Sequence, residues 1–224
     1  MNGEEAMVET VSSRAEPNTE ARSTVLVIDD EEDLRNAVGR LVRSVGLNAQ
    51  LFPSIPNLVK LECPNMPACL VLDVRLPGKS GLDFQRELAA ANIQLPIIFI
   101  SGHGDIPMTV QAMKEGAVEF LTKPFREQEL LDAIELGLEK DRVRRKKETA
   151  LGDLRERFET LTPREREILI HVVRGRVSKQ IAADFGISET TVKLHRSNLT
   201  RKMKARSLSE LTRMGDKLKL VQES

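Results

Sequence analysis

LVLDVRLPGKSGLD, Leu70–Asp83, decides how the first half of the chain is read. Together with Cys69 before it, the apolar run to Leu72 has the pattern of a strand buried on both faces. The run ends on a carboxylate, Asp73; Pro77-Gly78 then forms a turn and Gly81 opens a helical pattern. An acid at the C-terminal end of a central parallel strand stands where open α/β sheets bind their ligands. A helix N-cap or a turn-opening aspartate looks the same locally. The weight therefore falls on three other strand ends.

Upstream, TVLVI (24–28) is a β-branched run that meets five successive acids, Asp29 to Asp33. Glu31, Glu32 and Asp33 suit the positive end of a helix that continues through Leu34, Val38, Leu41, Val42 and Val45 to Gly46. A helix start does not call for the adjacent pair Asp29-Asp30 as well. With a third carboxylate nearby, that pair suits a hard divalent cation such as Mg²⁺, which takes few protein carboxylates and keeps waters. Downstream, a strand is predicted at 48–52, a short helix near 54–62 and a helix at 81–91. The apolar LPIIFI (95–100) ends on Ser101-Gly102, and a helix follows at 106–115. A short strand at 117–121 leads to Thr122-Lys123-Pro124-Phe125, with a final amphipathic helix at 127–138. Ser101 reads either as a donor to a phosphoryl oxygen or as a plain loop serine. Lys123 reads either as the partner of a phosphate or carboxylate or as a solvated surface lysine. A cis Lys123–Pro124 bond would aim that lysine back across the sheet.

Residues 24–138 are thus β-α repeated five times, a doubly wound, flavodoxin-like parallel sheet of five strands. Asp29 with Asp30, Asp73, Ser101 and Lys123 converge at one sheet edge, a constellation suited to accepting a phosphoryl group on Asp73 beside a metal held by the acids. VLVIDDE, LVLDVRLPGKSGLD, FISGHGD and EFLTKPF, in this order and spacing, resemble the signature set of two-component response-regulator receiver domains. The resemblance makes Asp73 the phosphoryl acceptor from a sensor histidine kinase. It assigns Mg²⁺ to Asp29, Asp30, Asp73 and the backbone carbonyl of Arg75. Ser101, Phe120 and Lys123 take the switch positions, although the aromatic is more often Tyr in that family and this chain has no Tyr. It further implies that the surface around 106–121 dimerises on activation, through Val110, Met113 and Lys114. Val110 and Met113 fit ordinary core at helical spacing about as well.

The net charge of zero hides a split: residues 24–138 carry 10 basic and 16 acidic side chains, residues 161–224 carry 14 and 7. An acidic half and a basic tail imply two domains with different partners, the basic one suited to nucleic acid. Residues 1–23 are polar and aperiodic and are predicted to be a disordered tail. Cys63 and Cys69 have no Cys or His at metal-ligand spacing, and no signal peptide is recognised, so they are expected to be reduced thiols of a cytoplasmic protein. No apolar run reaches membrane-spanning length, and no membrane partner is predicted.

Residues 139–160 are dominated by charge and are predicted to be a helical linker. Leu151, Leu154, Phe158 and Leu161, spaced 3, 4 and 3 apart, form a short stripe that could pair with a second copy or be merely solvated. Thr162-Pro163 with Glu165 opens an all-α domain over 161–224. There Ala182, Gly186 and Val192, spaced 4 and 6 apart, carry helix-turn-helix arithmetic, followed by a basic second helix capped by Ser188. LTPREREIL…VSKQIAADFGISETTVKLHRSNLTRKMKARS resembles the LuxR/FixJ-type DNA-binding domain, and the whole chain is similar to the FixJ/NarL class of response regulators, its FixJ–StyR–NodW branch above all.

That resemblance places Thr191, Lys193, Leu194 and Ser197 at base edges of promoter DNA and Lys179, Thr190, His195, Arg196, Arg201 and Lys202 at phosphates. Each basic residue equally fits a solvated face, Leu194 fits helix packing, and His195 fits a neutral surface imidazole. The resemblance also puts Leu211 and Met214 of the last helix in a dimer contact, though both fit core, and it implies RNA polymerase as a partner of the activated homodimer. The expected function is transcription regulation, more often activation than repression in that branch, and not catalysis. A P-loop is absent, an Asp-nucleophile phosphatase would need an acid where Arg75 stands, and a flavin site would need a phosphate loop where Asp29-Asp30 stand.

Overall fold

The computed structural model describes residues 23–55, 64–102 and 106–220. The predicted tail and most of the helix expected near 54–62 lie outside these residues. Among the described residues the chain divides into two compact units, the division falling after Asp141.

In the first unit, strands β1 (Thr24–Ile28), β2 (Asn48–Phe52), β3 (Ala68–Asp73), β6 (Ile97–Ser101) and β7 (Glu119–Thr122) pair in parallel in the order β2-β1-β3-β6-β7. Between β3 and β6 lies a hairpin not foreseen from the sequence, β4 (Arg75–Leu76) with β5 (Lys79–Ser80). Helix α1 (Glu32–Ser44) follows β1, α2 (Gly81–Ala90) precedes β6, α3 (Ile106–Lys114) joins β6 to β7, and the first part of α4 (Glu127–Glu159) follows β7. The period of two along each strand divides the core. Leu26, Ile28, Leu70, Leu72 and Phe99 face one side, with Phe84 and Leu88 of α2. Val25, Val27, Cys69, Val71 and Ile98 face the other, with Val38 and Val42 of α1 and Leu130, Ile134 and Leu138 of α4. Because β1 lies between β2 and β3, the chain reverses its winding at the β1/β3 boundary, and the crevice at their C-terminal ends is the topological switch point. Asp29 follows β1 there, and Asp73 ends β3.

The helix predicted at 127–138 and the linker at 139–160 are one continuous helix, α4. The stripe read as a possible pairing seam has a different role. Leu154 and Leu161 are buried with Ile168, Ile181, Leu199 and Met203 in the core of the second unit, and Phe158 packs against them. An apolar stripe states that something covers it; here the cover is the unit's own helices.

Those helices are α5 (Pro163–Val173), α6 (Ser178–Phe185), α7 (Glu189–Met203) and α8 (Leu208–Lys217). Their starts follow from side-chain caps. Thr162 and Glu165 form a capping box at α5, Ser188 accepts from the Thr191 amide at 3.1 Å, and Ser207 accepts from the Glu210 amide at 3.1 Å. Gly186 closes α6 in the left-handed region at φ 62°, the turn that lets α7 cross α6.

Candidate functional site

The switch-point crevice brings Asp29, Asp30, Asp73 and Lys123 together. Lys123 Nζ donates to Asp73 Oδ2 at 2.7 Å and to Asp29 Oδ2 at 2.9 Å. The second oxygen of each aspartate accepts a backbone amide two residues on: Asp29 Oδ1 from Glu31 at 2.8 Å, Asp73 Oδ1 from Arg75 at 2.9 Å. The Lys123–Pro124 bond is cis, the isomer considered from the sequence. Burial pushes the Asp29 carboxyl above its usual range despite the bonds from Lys123 and Glu31. Burial also works against the Lys123 charge, but the bonds to Asp73 and Asp29 outweigh it and hold that ammonium above the usual lysine value.

One carboxylate oxygen from each of Asp29, Asp30 and Asp73 lies within 4.8 Å of the others. Asp29 and Asp73 are buried, whereas Asp30 is exposed and its carboxylate makes no hydrogen bond or ion pair among the described residues. Oxygen donors with one side open to water are a donor set that fits Mg²⁺. Gly81 packs so tightly behind this site that a Cβ there would stand 2.6 Å from the Asp73 carbonyl oxygen.

Ser101 is buried at the end of β6, in register with Thr122, and its carbonyl accepts the Lys123 amide at 2.8 Å. The Phe120 ring is half-buried, with its centroid 6.2 Å from that of Phe99. On α3 the core reading of Val110 and Met113 fails: both are exposed, with Lys114, and Ala112 is the one buried residue of the helix.

The second unit offers a separate surface. On α7, Val192, Leu199 and Met203 point inward, while Thr190, Lys193, Leu194, Ser197 and Arg201 are exposed at helical spacing on one face. Leu194 is 61% exposed, so helix packing does not account for it. Lys179 of α6 is exposed and His195 half-buried. The Thr191 hydroxyl is shared with that of Ser188 at 2.8 Å. Two expected phosphate contacts are engaged within the unit. Arg196 donates to Ser178 Oγ at 2.9 Å, and Lys202 donates to the buried Glu165 at 2.6 Å and to the Thr160 carbonyl at 3.2 Å. Their partners come from other helices or from the turn before α5, which their own sequence neighbourhood does not reveal. Leu211, only 2% exposed, belongs to the core rather than to a contact surface, and Met214 packs against the same core.

The sequence reading also missed Arg35, whose guanidinium donates to the carbonyls of Asp29 at 2.7 Å and Asp30 at 3.4 Å. A basic residue two positions after a run of acids was the available signal.

A doubly wound sheet with three acids and a lysine at its switch point, followed by a helix-turn-helix unit, defines a regulator built from a receiver and a DNA-binding module. Known proteins agree. Residues 25–135 match the response regulator receiver domain, and residues 159–215 match the bacterial regulatory proteins of the luxR family. Nodulation protein W of Bradyrhizobium diazoefficiens is 51% identical over 203 residues, covering 90% of this chain and 89% of that protein. Response regulator protein TodT of Pseudomonas putida is 46% identical, covering 88% and 87%. The solved structure of response regulator StyR superposes with a TM-score of 0.77 at 45% identity, covering 88% of this chain and all of that one. The chain therefore belongs to the two-component response regulators with a luxR-type DNA-binding domain, a family of transcription regulators rather than enzymes. Receiver domains of this family typically bind Mg²⁺ at an acidic pocket, and the two modules imply a kinase and DNA as partners. No helix among the described residues is long and apolar enough to cross a membrane.

Proposed function

We propose that Asp73 accepts a phosphoryl group from a sensor histidine kinase and that the phosphorylated protein dimerises, binds promoter DNA and raises transcription. The observation that carries this reading is the meeting of Asp29, Asp30 and Asp73 within 4.8 Å beside a lysine that bonds two of them. An Asp73 oxygen attacks the phosphorus of the kinase's phosphohistidine. The P–N bond breaks, its electrons return to the imidazole, and an aspartyl phosphate forms. Asp29, Asp30, Asp73 and the Arg75 carbonyl hold Mg²⁺, which when bound offsets charge on the phosphoryl oxygens. Lys123 transfers one of its bonds to a phosphoryl oxygen, and the Ser101 hydroxyl turns toward another. Phe120 moves into the space this leaves and reshapes the α3 surface.

The dimer contact is the exposed apolar side of α3, with Val110, Met113 and the neighbouring Lys114. Ile106, 80% exposed, extends that patch. Lys193, Leu194 and Ser197, with Thr191 at the helix start, read base edges, and Lys179, Thr190, His195 and Arg201 meet phosphates. The protein acts in the cytoplasm, and its DNA-bound dimer contacts RNA polymerase. Likeness to the FixJ–StyR–NodW branch supports activation rather than repression.

Size-exclusion chromatography with light scattering tests this reading, with and without a small phosphoryl donor and Mg²⁺. A donor-dependent dimer in wild type but not in Asp73→Asn is the expected result. A monomer in every state rejects dimerisation, and an unchanged response in Asp73→Asn rejects Asp73.

A further inference from the structure

Arg35 is the fourth residue of α1, in the turn where the helix dipole disfavours a cation. Three carboxylates, Glu31, Glu32 and Asp33, precede it by two to four residues, yet it forms no ion pair with them among the described residues. Its Nη1 instead reaches back to the end of β1 and donates to the Asp29 carbonyl at 2.7 Å and the Asp30 carbonyl at 3.4 Å. With that bond every polar group of Asp29 is engaged. Its amide donates to the Phe52 carbonyl at 3.2 Å, Oδ1 accepts from Glu31, and Oδ2 accepts from Lys123. The Asp30 carboxylate is left without such a partner among the described residues. The cation thus bonds the backbone of the acidic pair and leaves its carboxylates to another charge.

We infer that Arg35 is a positioning residue for the divalent-cation site: it fixes the Asp29–Asp30 peptides so that both carboxylates face Asp73. The inference rests on the Mg²⁺ reading above. It makes a prediction opposite in sign to simple electrostatics. Coulomb repulsion alone means that removing a positive charge beside the site tightens binding of a dication. Positioning means that removal loosens it, because the two carboxylates must then be ordered when the metal binds.

Isothermal titration calorimetry with Mg²⁺ on the full chain separates the two. Arg35→Gln is expected to bind about tenfold more weakly than wild type, the loss of one charge-assisted hydrogen bond. Arg35→Lys, which can still reach one carbonyl, is expected to fall between. Amide exchange of Glu31 without metal gives a second readout, expected to be faster in Arg35→Gln as the Asp29 loop loosens. Circular dichroism verifies the fold, and if Arg35→Gln is unfolded, Arg35→Lys carries the test against wild type. Equal or tighter Mg²⁺ binding by the folded variant overturns the positioning role alone. Wild type that takes up no Mg²⁺, or Asp30→Asn that binds it as wild type does, overturns the metal reading and this inference with it.

Discussion

The acids at the β1/β3 strand ends and the outer face of α7 are both polar, yet they are built in opposite ways. At the strand ends the two buried acids are tied to their neighbours: Asp29 bonds Phe52, Glu31, Arg35 and Lys123, and Asp73 bonds Lys123 and Arg75, while the exposed Asp30 carboxylate faces water. On α7 the exposed Thr190, Lys193, Leu194, Ser197 and Arg201 stand on a helix whose other side is anchored by Val192, Leu199 and Met203. A chemical site needs its groups held to fractions of an ångström before the reactant arrives. A DNA-reading face needs only a rigid backbone, since phosphate and base supply the remaining partners. Changes at the first site should therefore propagate, and changes on the second should act one residue at a time.

Asp73→Asn should show the largest effect, complete loss of phosphate incorporation from a small donor, measured by mass spectrometry of the intact chain. Retained phosphate would put the acceptor elsewhere and break the comparison at its first term. Within α7 the contrast can be drawn between two leucines five residues apart. Leu199→Ala, at a fully buried position, should cost about 2–5 kcal/mol in urea unfolding. Leu194→Ala should change stability by less than about 0.5 kcal/mol while altering which operator sequences are bound. If both destabilise equally, the outer face is packed rather than presented.

Lys193→Ala should weaken duplex binding and lower the slope of log affinity against log salt by up to about 0.9 if it meets a phosphate, with less change in slope if it reads a base. Fluorescence anisotropy of labelled DNA at several salt concentrations distinguishes these.

The smallest effect concerns Glu165. Burial pushes its carboxyl up, but bonds from Lys202 and Thr162 outweigh this and hold it below the ordinary value of 4.5. A carboxyl depressed in the folded state adds stability above its unfolded pKa, and that stability is lost as pH falls through the folded value. The second unit should therefore weaken below about pH 4.5, and Glu165→Gln should flatten that part of the curve while lowering stability at neutral pH. A variant with the same acid limb as wild type would show that the Lys202 bond contributes nothing.

The sheet, its strand ends and the helix starts were readable in the amino-acid order because each rests on a local pattern. Apolar runs that end on Asp29, Asp73 and Ser101, and a short strand pattern before Thr122-Lys123, mark parallel strands. Thr162 and Ser188 cap helices through bonds to residues three positions on. What the sequence left open were partners distant along the chain. Lys202 and Arg201 are adjacent basic residues, yet Lys202 is tied to Glu165, 37 positions away, while Arg201 is exposed. Arg35 looks like one more helix-surface cation until the end of β1 is folded beside it. The stripe Leu154–Phe158–Leu161 predicts an apolar cover without saying which one, and the second unit's own core supplies it. Periodicity and capping depend on neighbours a few residues apart, so the chain by itself determined the five parallel strands and most helix starts, though not the β4–β5 hairpin or the continuity of α4. Which charge meets which, and which face is covered, depends on distances that exist only once the elements have packed, so the tertiary structure decided them.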